Sequence, residues 1–248
     1  MDQYVKIFAL ISSRYFILAG ISFYIFYILL KKTRSGEKIQ RNFPENIHYK
    51  REIFFSILTI LIFSFIPVIF IQNKKIASTT LLYSKISSMG WLYFIAVFPF
   101  MIFIHDTYFY WTHRLMHHKR LFKLFHLIHH KSTNPSPWAA YAFHPLEAVV
   151  EAGVFLIFLY CIPMHKLHFF IFFFFSIAYN IYGHLGFELY PKNFNKSKIG
   201  KWINTSVSHN QHHQYFKGNY GLYLLFWDRI MGTIREDYDM SFEKATNK

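Results

Sequence analysis

HDTYFYWTHRLMHHKRLFKLFHLIHH, residues 105–130, carries seven of the chain's 15 histidines in a window of 26 residues, where even spreading would place about 1.6. The stretch opens inside an apolar run and closes in a basic one, so it straddles a change of environment. His113 and His117 stand four residues apart, which on a helix puts both imidazoles on one face. HLIHH then sets His126, His129 and His130 at i, i+3 and i+4. The same spacing returns in HNQHH as His209, His212 and His213. Imidazole suits iron, zinc, copper and nickel. Eight neutral imidazoles exceed the roughly four to six ligands of one ion and suit two. His184, in YGHLG, closes the last apolar block beside the clusters and is the ninth candidate ligand.

Acids near these boxes are candidates to hydrogen-bond the outer ring nitrogen of a ligand histidine, which fixes the tautomer and raises basicity. They are Asp106, Glu147, Glu151, Glu188 and Asp228. Asp106 lies in or beside an apolar helix, where an isolated charge is costly, so a partner is expected. Asp228, in WDRIMGT, has the alternatives of pairing with Arg229 or capping a turn. His118 points about 100° away from His117 on a helix and is expected to support the site from behind or to be solvated. His144, in FHPLE, is expected to bond to Glu147. His105 sits eight residues before His113 on a similar face and is a weaker ligand candidate. His48, His165 and His168 lie away from the clusters.

Outward from the boxes, the chain is written in long apolar blocks. A membrane helix needs about 20 apolar residues. Ile7–Leu30, Phe54–Gln72 and Met89–Tyr110 qualify, while Ala148–Ile162 and Leu167–Tyr182 are shorter and are split by Pro163. The last two are expected as two tight spans or as a re-entrant hairpin. Basic residues crowd Lys31–Arg51 and the segment from Arg114 to Lys131, but the loop Asn73–Ser88 holds only Lys74, Lys75 and Lys85. The positive-inside rule then puts the basic segments, the histidine boxes and the tail on the cytoplasmic side. That side is the bacterial inner-membrane interior, or the cytosolic face of the endoplasmic reticulum in a eukaryote.

The expected fold is therefore all-α, a multi-pass transmembrane bundle of about four to five helices with a cytoplasmic helical cap. Residues 1–100 form the N-terminal membrane helices and basic loop, and 101–240 the catalytic domain. The cap comes from 111–146 and 184–248. The formal charge of +14 fits an anionic membrane face. No nucleic-acid-binding motif is present. The single cysteine, Cys161, allows neither an intrachain disulfide nor a cysteine metal site. No cleavable signal peptide is evident, since the first apolar block is too long for one.

The run HDTYFYWTHRLMHHKRLFKLFHLIHHKSTNPSPWAAYAFHPLE, residues 105–147, and the tail NYGLYLLFWDRIMGT, residues 219–233, resemble the fatty acid hydroxylase/sterol desaturase superfamily of membrane proteins. The resemblance implies two iron ions capping a helical bundle on its cytoplasmic face, with O2 as co-substrate. It implies hydroxylation or desaturation of an unactivated C–H bond of a lipid. The ligands it implies are His113 and His117, then His126, His129 and His130, then His209, His212 and His213, with His184 where the family often has one more. The lipid is a sterol, a fatty acyl chain or a related molecule; AFHPLE leans to the sterol side. No cytochrome b5-like stretch is fused, so a separate donor is expected, cytochrome b5-like or ferredoxin-like with a reductase. A zinc-dependent membrane hydrolase is the rival enzyme, but HExxH is absent. A metal transporter is the other rival, but transport sites lie near the membrane midplane, whereas these histidines lie at the span ends. PSPWAAYAF, residues 135–143, is either a wall of the substrate groove or an interfacial turn.

Overall fold

The computed structural model describes residues 2–247. These hold, in chain order, α1 (Gln3–Phe23), α2 (Lys31–Arg34), α3 (Asn46–Pro67), α4 (Lys74–Ala77), α5 (Gly90–Met116), α6 (Phe122–Phe125), α7 (Leu127–His130), α8 (Pro145–Cys161), α9 (Lys166–Gly183), α10 (Ser206–Tyr215), α11 (Phe226–Ile230) and α12 (Tyr238–Thr246). The only sheet among the described residues is a parallel pair of two-residue strands, β1 (Leu82–Tyr83) with β2 (Met164–His165). The fold is all-α, as expected.

Three helical runs are long and apolar enough to cross a membrane: Gln3–Leu29, Asn46–Gln72 and Gly90–Met116. α1 and α3 reach that length through π-helical turns at Tyr24–Leu29 and Val68–Gln72. On α3 the choice of buried side chains is the inverse of a water-soluble helix. There the buried residues are Glu52, Ser56, Thr59, Ile60 and Ser64, while Phe54, Ile57, Leu61 and Phe65 are exposed. Small and polar residues at the helix contact, with large apolar ones outside, are what lipid as solvent selects. α5 likewise exposes Trp91, Leu92, Ile95 and Phe100.

α8 and α9 form the expected hairpin around Pro163. At 1.5 Å per residue each is about 26 Å long. Its turn is pinned to the loop after α4, where Leu81 N–H donates to the Leu159 carbonyl at 2.9 Å and β1 pairs with β2. That loop lies at the end of the bundle opposite the histidines, so the hairpin runs the bundle's full depth. Phe155, Phe158, Leu159 and Phe172 of this hairpin pack with Val97 and Met101 of α5.

The basic loop after α1 lies at the histidine end. Gln40 Nε2 donates to Asn210 Oδ1 at 2.9 Å, and Arg51 donates to the Lys131 carbonyl at 2.9 Å. The cap is less helical than expected. α5 carries His113 by continuing past Tyr110, the boundary expected at residue 100 falls inside this helix, and the cap is largely turns around α10 and α12. Residues 137–141 form a 3-10 turn wedged among α1, α3 and α9. The Trp138 carbonyl accepts from Tyr15 at 2.7 Å and Ser56 at 3.0 Å, and the Ala140 carbonyl from Asn180 at 2.6 Å.

Candidate metal centre

The end of α5, the turns α6–α7, the end of α9 and the whole of α10 bring nine imidazoles into one layer. They fall into two groups. His113, His117, His126, His130 and His212 form one, His129, His184, His209 and His213 the other, and within each group one nitrogen per ring lies within 4.8 Å of all the rest. All nine candidate ligands are in these groups. His105, the weaker candidate, stands apart, with its Nδ1 2.9 Å from the Tyr223 hydroxyl.

Each HxxHH box divides between the groups by the same rule. The i and i+4 rings share a group and the i+3 ring crosses to the other. His126 and His130 go together while His129 crosses; His209 and His213 go together while His212 crosses. Spacing had put all three rings of a box on one helical face. The second box is a broken helix, with His126 at φ −115° and ψ −11° between α6 and α7.

Hydrogen bonds at the outer nitrogen decide what the inner one can do. The Nδ1 atoms of His113, His184, His212 and His213 lie 2.7–3.0 Å from the carbonyl oxygens of Tyr220, Asn180, Gly218 and Ser132. A carbonyl only accepts, so in each ring Nδ1 carries the proton and Nε2 is a bare lone pair. Within the first group Nε2···Nε2 separations are 2.9 Å (His113–His126), 3.0 Å (His130–His212) and 3.1 Å (His117–His130, His117–His212). In the second they are 3.1 Å (His184–His209, His184–His213), 3.2 Å (His209–His213) and 3.4 Å (His129–His184). For His184–His213 both outer nitrogens donate to carbonyls, so the short contact sets two lone pairs face to face and is not a hydrogen bond. A cation between them turns that repulsion into coordination. Nitrogen ligands about 2.0–2.1 Å from a metal stand about 2.9–3.4 Å apart in octahedral to tetrahedral geometry. The observed spacings fit a metal ion in each group.

Burial keeps these rings neutral. Loss of hydration, then repulsion from neighbouring imidazoles, pushes His126, His129, His130, His209, His212 and His213 well below the usual histidine range. The same causes bring His117 to about 2 and His184 to about 4.

Of the supporting candidates, Glu147 alone touches a grouped histidine. Its Oε1 lies 2.7 Å from His126 Nδ1, both side chains buried. Asp106 and Asp228 act at one remove and hold the loop that supplies the Tyr220 carbonyl. Asp106 Oδ1 accepts from the backbone N–H groups of Leu222, Tyr223 and Leu224 at 2.7–3.2 Å. Asp228 accepts from those of Tyr220 and Gly221 and from the Thr233 hydroxyl; neither of its expected alternatives, Arg229 or a simple cap, describes this. Glu188 accepts from Val207 N–H in the first turn of α10 and from Tyr182, so it sets the helix that carries the third box. His118 is exposed and accepts only from Arg120 N–H at 3.4 Å. The His144 ring caps α8 by accepting from Leu146 N–H, and it is the His144 backbone N–H, not the ring, that faces the Glu147 carboxyl. Glu151 reaches no histidine.

The carbonyl acceptors have no signal in a side-chain sequence. Gly218 leaves one: at φ +79° a side chain is strained, and a Cβ would lie 2.7 Å from the Thr233 carbonyl oxygen. The turn built around it aims the Gly218 carbonyl at His212.

Beneath the imidazoles, among α1, α3, α5, α8 and α9, lies a cavity of about 290 Å³. Phe109 and Phe143 line it and also pack on His113 and His129, with ring centroids 4.8 and 5.1 Å apart. Tyr141 and Phe143 make the 135–143 stretch both a wedge and a wall.

The family model for fatty acid hydroxylase matches residues 98–233. A Delta(7)-sterol 5(6)-desaturase of Gibberella zeae is 31% identical over 223 residues, covering 89% of this chain and 64% of the relative. A lathosterol oxidase of Rattus norvegicus is 30% identical over 233 residues, covering 92% and 72%. A Delta(7)-sterol 5(6)-desaturase of Aspergillus fumigatus is 36% identical over 154 residues, covering 62% and 42%. No solved structure matches significantly. With more than half its length matched, histidine boxes included, the chain belongs to the fatty acid hydroxylase family, within the fatty acid hydroxylase/sterol desaturase superfamily.

Proposed function

We propose that this chain is a membrane oxidoreductase that desaturates a sterol-type lipid with O2, using two iron ions held by the nine grouped histidines. The observation that carries the reading is the pair of inward-facing Nε2 groups, five and four, directly above an apolar cavity. The names of the relatives support the sterol and the desaturation. Bound there, the iron pair would supply O2 activation and the oxidising power to break C–H bonds. The balance is simple. Two hydrogens leave adjacent carbons of the lipid, two electrons and two protons arrive from a separate donor, and O2 becomes two waters. A cytochrome b5-like protein, or a ferredoxin-like one with its reductase, is the donor class.

The protein's own part is to hold, orient and exclude. Backbone carbonyls and Glu147 lock the tautomers of His113, His126, His184, His212 and His213 so that their lone pairs point inward. Phe109 and Phe143 face the cavity and keep bulk water from the imidazoles. The lipid enters from the bilayer, because α1, α3 and α5 cross it and the α8–α9 hairpin spans beside them. The basic loop at the histidine end supports a cytoplasmic location for the centre.

The test is metal analysis and turnover of the purified full chain. About two irons per chain are expected, with O2-dependent loss of about two mass units from a Δ7-sterol once an electron donor is added. Zinc without O2 consumption, or an unchanged lipid, would overturn the assignment.

A further inference from the structure

Glu151 and His105 are polar residues in an apolar wall. Both line the cavity, from facing helices α8 and α5. Glu151 is 8% exposed, its Oε1 has no hydrogen-bond partner, and no cation pairs with it among the described residues. His105 is 6% exposed and ringed by Phe109, Phe158 and Phe172. Its Nδ1 is taken by the Tyr223 hydroxyl, which leaves Nε2 for an occupant of the cavity. An unpartnered carboxylate buried in a wall of phenylalanines costs folding free energy. A ligand that completes its bonding would offset that cost.

The level of the pair in the bundle narrows the ligand. Glu151 is one helical turn, about 6 Å, below Glu147, which holds His126. His105 is two turns, about 12 Å, below His113. A hydroxyl held at the level of Glu151 leaves carbons a few bonds away near the imidazole layer. The rest of the molecule must lie along Phe155, Phe169 and Phe173 towards the side opening, where Leu10 and Phe170 are exposed. Arg14 lines the same cavity from α1 and would be the contact for a fatty-acid carboxylate instead.

We propose that Glu151 recognises the single hydroxyl of the lipid, with His105 the further polar contact deeper in the same cavity, so that oxidation falls close to the hydroxyl-bearing ring. The proposal rests on the sterol reading above and adds the residues that set its register. They are positioning and specificity residues.

The experiment compares two probes that differ in one oxygen, cholest-7-en-3β-ol and cholest-7-ene, binding to the metal-loaded full chain in detergent. A site built to bond a hydroxyl should favour the alcohol by about tenfold or more. In Glu151→Leu the preference should fall to within about twofold, and in Glu151→Gln, which keeps shape and some hydrogen bonding, it should be intermediate. The alcohol-to-hydrocarbon ratio is read within each variant, so loss of folded protein does not move it. A wild-type preference that both variants retain overturns this inference and leaves the sterol reading standing. Binding of neither probe, or displacement of the alcohol by a long-chain fatty acid whose affinity depends on Arg14, overturns both.

Discussion

In five of the nine rings an outer hydrogen bond decides what the imidazole offers, which makes Glu147 a sharper probe than a ligand itself. It is the one carboxylate in contact with the groups, at 2.7 Å from His126 Nδ1. Glu147→Leu leaves that nitrogen buried and unpaired, and loss of such a partner lowers metal affinity by about 10–100-fold. Glu147→Gln keeps an acceptor and should recover much of it. The division of the rings also predicts unequal ligand deletions. His129→Ala leaves three rings in the four-ring group and should lower metal content towards one ion per chain, while His212→Ala leaves four in the five-ring group and should weaken that ion and spare the other. Metal counting on purified variants checks this; loss of both ions from His129→Ala would show that the groups are not separable. The exposed His118 and the helix-capping His144 serve as controls, with metal content unchanged on substitution by alanine.

At the scale of elements, the second group depends on how closely α9 and α10 approach. Gly183 is the last residue of α9, and a Cβ there would lie 3.3 Å from His209 Cδ2. A branched side chain cannot fit without moving that ring. Gly183→Val should therefore lower metal binding in the four-ring group while the five-ring group and membrane insertion persist; full metal content would refute this dependence. The contact also marks the limit of what the sequence could say. Long apolar blocks made α1, α3 and α5 legible, and HxxxH and HxxHH spacings identified the rings, because periodicity records which residues share a face. Pro163 marked the hairpin turn. Which ring joins which group was not legible, since the second box is not a continuous helix and the i+3 ring crosses over. Nor was the work of Asp106 and Asp228, whose partners are backbone N–H groups of a loop more than a hundred residues from Asp106 in the chain. Contacts of that kind are made by tertiary placement and leave no local pattern.

For the whole molecule, nine grouped imidazoles, eight buried and one partly so, couple metal binding and stability to pH. In the unfolded chain each takes up a proton near its ordinary value of about 6.5. In the folded protein burial holds His184 to about 4 and His117 to about 2, and the others of the two groups outside the spans lie well below the usual range. Between these values the unfolded state binds more protons, so the free energy of unfolding falls as pH falls. The contribution is complete above about pH 6.5 and drains below it, by up to about 1.4 kcal/mol per pH unit for each histidine. Metal release points the same way, because protons and metal compete for the same lone pairs. Thermal melts of the detergent-solubilised protein should show a stable plateau above about pH 7 and a steep fall from about pH 6 to 5. The metal-loaded form should melt higher than the metal-free form on the plateau and lose that advantage across the fall. A melting temperature that stays level from about pH 7.5 to 5 would mean that the imidazoles are not held neutral by the fold, and the inward-facing lone pairs on which metal binding depends would lose their physical basis.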